Sequence, residues 1–241
     1  MTLRRRAALL ACIATLAAAS ATAQSADWPA KTLRIVVPYP PGGSSDIIAR
    51  SISQVLSESL KQSVIVENKA GANGNLGADL VAKAEPDGYT LLLMSNGTAV
   101  SANLVKTLPF DTLKDFAPVS TLGYFDLAVV AAENGRFKTM GELLAFAKAN
   151  PGKLNLGTVN IGSTQNLAAE LLKTSAGLDF QVVPFNGSPA VLNALRGGQI
   201  DASIEILGPM MGQISAKAVR PLAVMGDHRA TVLPAVPTLA E

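Results

Sequence analysis

The sequence predicts an α/β protein built from two units. Short β-branched runs alternate with longer stretches of helical period from residue 33 onward. That alternation breaks around 108–118, where two prolines and mixed charges fall, and then restarts. With 241 residues, 49% of them hydrophobic, there is enough apolar surface for two cores.

Leu33-Arg34-Ile35-Val36-Val37 reads as a buried strand stopped by Pro38. From Ser45 to Leu60 the apolar residues at 47, 48, 52, 55, 56 and 60 follow helical spacing. Val64–Val66 is a second strand, Leu76–Ala84 a second helix, and Tyr89–Met94 a third strand entered through the turn Pro86-Asp87-Gly88. This βαβαβ order implies a parallel sheet with right-handed crossovers. Strand-like stretches follow at Val119–Leu122 and Leu127–Ala132. The second series runs helix Met140–Ala149, strand Leu154–Thr158, helix Gln165–Ala176, strand Gln181–Pro184, helix Pro189–Leu195, strand Ile200–Ile204 and strand Val219–Val224. The units join near residue 125.

Residues 1–23 read as a signal peptide. Arg4, Arg5 and Arg6 precede an apolar run, and Ala21-Thr22-Ala23 offers an A-x-A site with cleavage after Ala23. The apolar part falls short of the roughly 20 residues a spanning helix needs, so export to the periplasm is expected. Removing three of the 20 basic residues leaves 17 against 18 acidic, and Cys12 goes too. A near-neutral surface without a basic stripe argues against nucleic acid as a partner. One His and one Cys cannot assemble a Cys/His metal site, and no cofactor motif is present. There is no G-x-S-x-G elbow, and His228 lies in a charged turn with no matched nucleophile, so no catalytic residue is expected.

Ligands of open α/β sheets collect at the carboxyl ends of strands, beside helix N-termini. Three loops fit that place. Pro38 to Asp46 combines prolines that stiffen, glycines that let a ligand approach, and the hydroxyls of Ser44 and Ser45 where helix N–H groups favour an anion. Thr158 to Thr164 and Phe185 to Pro189 repeat the arrangement in the second unit. Each could equally be plain helix capping. Their repetition suggests two units pointing polar helix ends into one cleft, with 43–46 opposite 163–166. Several such contacts could hold a carboxylate at about −8 kcal/mol, micromolar affinity. Asp201 and Glu205 flank one strand and could be an edge charge and a pocket wall.

The chain from Trp28 to Glu241 resembles the Bug family of periplasmic solute-binding proteins of tripartite tricarboxylate transporters. The matching stretches are V-V-P-Y-P-P-G-G-S-S-D at 36–46, V-E-N-K-A-G-A-N-G-N-L-G-A at 66–78, P-D-G-Y-T-L-L at 86–92, L-P-F-D-T-L-K-D-F-A-P-V at 108–119, A-N-P-G-K-L-N at 149–155 and L-P-A-V-P-T-L-A-E at 233–241. The resemblance implies a type II periplasmic-binding-protein architecture with a hinge and an interdomain cleft. It implies a first domain at 24–124, a second at 125–224, and a segment 225–241 returning toward the first domain, incomplete at the C-terminus. It also implies a monomeric receptor that captures a small carboxylate or amino acid for membrane permease components, with a signalling partner as the alternative.

Carried over by motif, Tyr39, Gly42, Gly43, Ser44, Ser45 and Asp46 form the first ligand loop, and Gly162, Ser163, Thr164, Gln165 and Asn166 the second. Thr98, Phe185, Gly187 and Glu205 are further walls. Three positions depart from the family pattern: Asn166 replaces a usual His, Asn186 a Lys or Arg, and Glu205 an Asp. The cleft is thereby less electropositive, which leaves an amide or amino-bearing acid open as ligand.

Overall fold

Leu33–Val37 (β1) is the most buried strand of the first unit, and its β-branched run occupies the centre of a parallel sheet. The computed structural model describes residues 28–241; the signal-peptide reading lies outside the described residues. Val64–Asn68 (β2) pairs with β1 on one side and Thr90–Leu92 (β3) on the other, both parallel. Helix α1 (Ser44–Leu60) lays Ile48, Ala49, Ile52, Leu56 and Leu60 against Leu33, Ile35 and Val37. Its apolar stripe is narrower than the spacing suggests, because Ile47 and Val55 face outward. A short 3-10 turn at Ala72–Gly74 leads into α2 (Asn75–Ala82).

A helix the periodicity did not predict, α3 (Asn96–Leu104), follows β3. Its inward face is Gly97, Thr98 and Ser101, small and polar, so no apolar stripe announces it. The chain then crosses to the second unit. Val119–Leu122, expected as a strand, joins no sheet, and Val119 is 85% exposed. Its β-branched composition fits a strand, yet no neighbouring edge among the described residues receives it.

The second sheet runs β6-β5-β7-β4-β8. Asn155–Val159 (β5), Gln181–Phe185 (β6) and Ala202–Ile206 (β7) are parallel; Leu127–Ala132 (β4) is antiparallel to both β7 and Val219–Val224 (β8). Helices α4 (Met140–Ala149) and α5 (Thr164–Ser175) cover one face. Helices α6 (Ser188–Arg196) and α7 (Leu207–Ser215) cover the other. Helix α7 was missed because Gly208, Pro209 and Gly212 look like breakers. Pro209, however, sits in the first turn, where its absent N–H costs nothing. It continues from β7 without a loop and touches α1 of the first unit.

Residues 225–241 run beside β8 of the second unit. Thr238 bridges Val224 in parallel, with Val224 N–H on Pro237 O at 2.9 Å and Leu239 N–H on Val224 O at 3.0 Å. Ala230, Leu233, Val236 and Leu239 complete the second unit's cores, so apolar burial holds this segment beside β8.

Candidate functional site

Each unit presents its strand C-termini, and the helices that follow, to the other. In the first unit, Gly42 adopts φ +85° and donates its N–H to Asp46 Oδ2 at 3.0 Å. Asp46 is 4% exposed and fully engaged: Arg50 Nε donates to Oδ2 at 3.0 Å and Asn68 Nδ2 to Oδ1 at 2.9 Å. Burial alone would raise its pKa; the hydrogen bonds from Arg50, the Gly42 N–H and Asn68 outweigh that and hold it below the usual carboxylate range. Asp46 therefore staples the loop together. Gly43 caps α1 in extended conformation without a side chain, leaving the first N–H groups and the half-buried Ser44 and Ser45 with no side-chain cap.

Tyr39 packs its ring between Gly74 and Gly97, where a Cβ at 97 would stand 2.9 Å from the hydroxyl. That hydroxyl bonds to Ser95 Oγ at 2.6 Å. Ser95 is the N-cap of α3, and with its hydroxyl engaged by Tyr39 it makes no side-chain cap. One turn in, Thr98 is wholly buried with Oγ1 unpartnered. A buried orphan hydroxyl costs about 1–3 kcal/mol. Asn73 and Asn75 carry orphaned buried Oδ1 atoms as well. Asn73 sits at φ +58°, a conformation its short polar side chain tolerates.

In the second unit, Gly162 repeats the device at φ +80°, donating to Asn166 Oδ1 at 3.0 Å. Here Ser163 closes the helix end: its Oγ accepts the Asn166 N–H at 3.1 Å and donates to Val159 O at 2.9 Å. Ser163 thus caps the helix through the Asn166 N–H, while the Asn166 side chain holds the Gly162 N–H just before it. Thr164 opens α5, and Gln165 is buried in its first turn against Glu205. Gly187, at φ +91°, caps α6 without a side chain. Ser188, absent from the predicted site, donates its hydroxyl to Glu205 Oε2 at 2.8 Å. The signal for it was the polar position before Pro189.

The opposition of helix ends is staggered relative to the expected pairing. A Cβ on Gly42 would lie 3.6 Å from Pro189 Cγ, and one on Gly187 3.3 Å from Pro40 Cγ. The loop before α1 thus meets the N-terminus of α6. Gly162 meets Leu104 and the Asn73 amide, which would stand 2.8 and 3.3 Å from a Cβ there. Beside these contacts lies an open surface depression of about 350 Å³ lined by Asn73, Asn160, Ile161, Pro184, Phe185 and Asn186. Among the described residues no group of His, Cys, Asp or Glu is placed to hold a metal ion, and no helix is long and apolar enough to cross a membrane.

Residues 48–241 match the family described as tripartite tricarboxylate transporter family receptor. The chain is 36% identical to protein BugT of Bordetella pertussis over 244 residues, covering 100% of this chain and 74% of that one. Among solved structures it is similar to R. palustris Rpa4515 with adipate (TM-score 0.86, 33% identity, 89% of this chain and 72% of the other). It is also similar to MatC from Rhodopseudomonas palustris with bound malate (TM-score 0.79, 31% identity, 88% and 73%).

Proposed function

The chain belongs to the tripartite tricarboxylate transporter receptor family, and on that premise we propose that it captures a small organic dicarboxylate between its two units and presents it to membrane permease components. One observation carries the reading. Two helix N-termini without side-chain caps, at Gly43 and Gly187, are brought together at the contact of Pro40 and Gly42 with Gly187 and Pro189. Uncapped N–H groups and two positive dipole ends suit a carboxylate without a buried Arg. Thr98 and Asn73 add polar atoms awaiting partners. Adipate and malate in the two similar structures support the ligand class.

In this reading residues 1–23 direct export and are removed after Ala23. The parts 24–124 and 125–224 act as the two halves of a monomeric periplasmic receptor, which binds and releases rather than catalyses. Direct ligand contact falls to Gly43, Ser44, Ser45, Thr98, Gln165, Phe185, Gly187 and Glu205. The others hold the loops: Tyr39 buttresses α3, Gly42 with Asp46 the first loop, and Gly162, Ser163 and Asn166 the second, with Thr164 beside them.

A thermal-shift screen of the exported chain against mono-, di- and tricarboxylates, amino acids and amides tests this. A true ligand adds about 2.7 kcal/mol at a hundredfold excess over Kd. A shift with a dicarboxylate that shrinks in Ser44→Ala is expected. A well-folded sample that responds to amides alone would sink the carboxylate assignment.

A further inference from the structure

Glu205 stands near the carboxyl end of β7, 2% exposed. Ser188 faces it from α6, Gln165 from α5, Ala128 from β4, and the Ile206 N–H from its own strand. None of these carries a charge. No ion pair among the described residues includes it. An anion held there would be buried without compensation, so the neutral acid is the favoured form. Burial pushes the carboxyl up to about 7, against the hydrogen bonds from Ser188 and Gln165.

The two oxygens are not equivalent. Oε2 accepts the Ser188 hydroxyl at 2.8 Å, while Oε1 is buried with no partner. In the neutral acid Oε1 can carry the proton, as a donor with no acceptor within hydrogen-bond reach. Ser188 adjoins Gly187, which meets Pro40 of the first unit, so this donor lies directly behind the wall where the two open helix ends converge. What it lacks is an acceptor, and an anionic one makes the strongest bond.

We propose that Glu205 acts as a neutral acid, donating its O–H to a carboxylate of the captured solute, so that above neutrality, where the ligand-free carboxyl is ionised, capture takes up a proton from solvent. The inference rests on the receptor reading above. An ionised Glu205 would instead repel a second carboxylate in the same space. Capture is then favoured below neutral pH and weakened above it, and Glu205 selects ligands that offer a carboxylate over those that offer an ammonium at this point.

The test is calorimetric titration of the chain with malate and with adipate at pH 6.5, 7.5 and 8.5, each in two buffers of different ionisation enthalpy. The expected result is a Kd that rises toward about tenfold per pH unit above neutrality, with proton uptake approaching one per ligand. Both signatures should vanish in Glu205→Gln. A Kd flat with pH, with no proton uptake, overturns the proton linkage and leaves the receptor reading standing. No binding by any carboxylate at any pH overturns both. A ligand-free measurement guards the variant. The folded value of Glu205 is raised above its unfolded one, so ionisation costs stability as pH rises between the two. Glu205→Gln should therefore melt higher than the parent at pH 8.5 and lose that advantage at pH 5. An equal difference at both pH values overturns the neutral-acid assignment.

Discussion

The loops that open α1 and α5 share one device and differ in a single decision. In both, a left-handed glycine donates its N–H to a side-chain oxygen four residues on, Gly42 to Asp46 and Gly162 to Asn166. In the second unit Ser163 then satisfies its own helix end, and Asn166, neutral, needs only Thr158 behind it. In the first unit glycine occupies the capping position, and the staple is a charged Asp46 held by Arg50 and Asn68. One helix end is closed by its own chain and the other is left open. A loop with the composition of a cap leaves its helix N–H groups open when the capping side chain itself is withheld.

Substitutions can separate these roles. The largest effect is expected from Asp46→Ala, which strands the Gly42 N–H, Asn68 and Arg50 together; a loss of about 3 kcal/mol should appear in denaturant unfolding. Asn166→Ala should cost roughly half of that, and equal losses would show that the charge contributes nothing. Next comes Gly43→Ser. Its φ of −85° accepts any residue, so the new hydroxyl can close α1 as Ser163 closes α5. Carboxylate affinity should then fall about tenfold, or about 1.4 kcal/mol, while the ligand-free protein gains a few tenths of a kcal/mol. Unchanged affinity would break the distinction between open and closed ends. Ser163→Ala should cost about 1 kcal/mol of stability and leave the pH profile of binding as it was. The smallest effect concerns acid. Asp46 has a lowered folded pKa, so its contribution is complete above the unfolded value near 4 and fades as pH falls through the folded one. Parent and Asp46→Asn should therefore converge in stability at low pH, where a persistent gap would point to packing instead of charge.

Most of the architecture was legible because it is written in apolar periodicity. The strand at Leu33–Val37 and the helix at Met140–Ala149 fall where the sequence puts them. What escaped lacked that signal. Helix α3 buries glycine, threonine and serine, and α7 carries two glycines and a proline. Val119–Leu122 has the composition of a strand without an edge to join. The site was legible as a set of loops and not as a set of roles. Nothing in the letters separates Asp46, spent on its own loop, from Ser44 beside it. Nor do they distinguish Ser163, committed to a cap, from Ser188, aimed at Glu205. Such assignments depend on hydrogen-bond direction and on which atoms are left over.

The crossed contact of Pro40 over Gly187 and Pro189 over Gly42 has a mechanical meaning. Each rigid ring rests where the other half of the molecule has no side chain, so the gap between the halves is gauged by hydrogen atoms. A methyl group on Gly187 would already press on Pro40, and a side chain longer than a methyl on Gly42 would reach Pro189, so bulk at either position would hold the halves apart. Natural variation at these two positions would thus retune how closely the two halves approach one another.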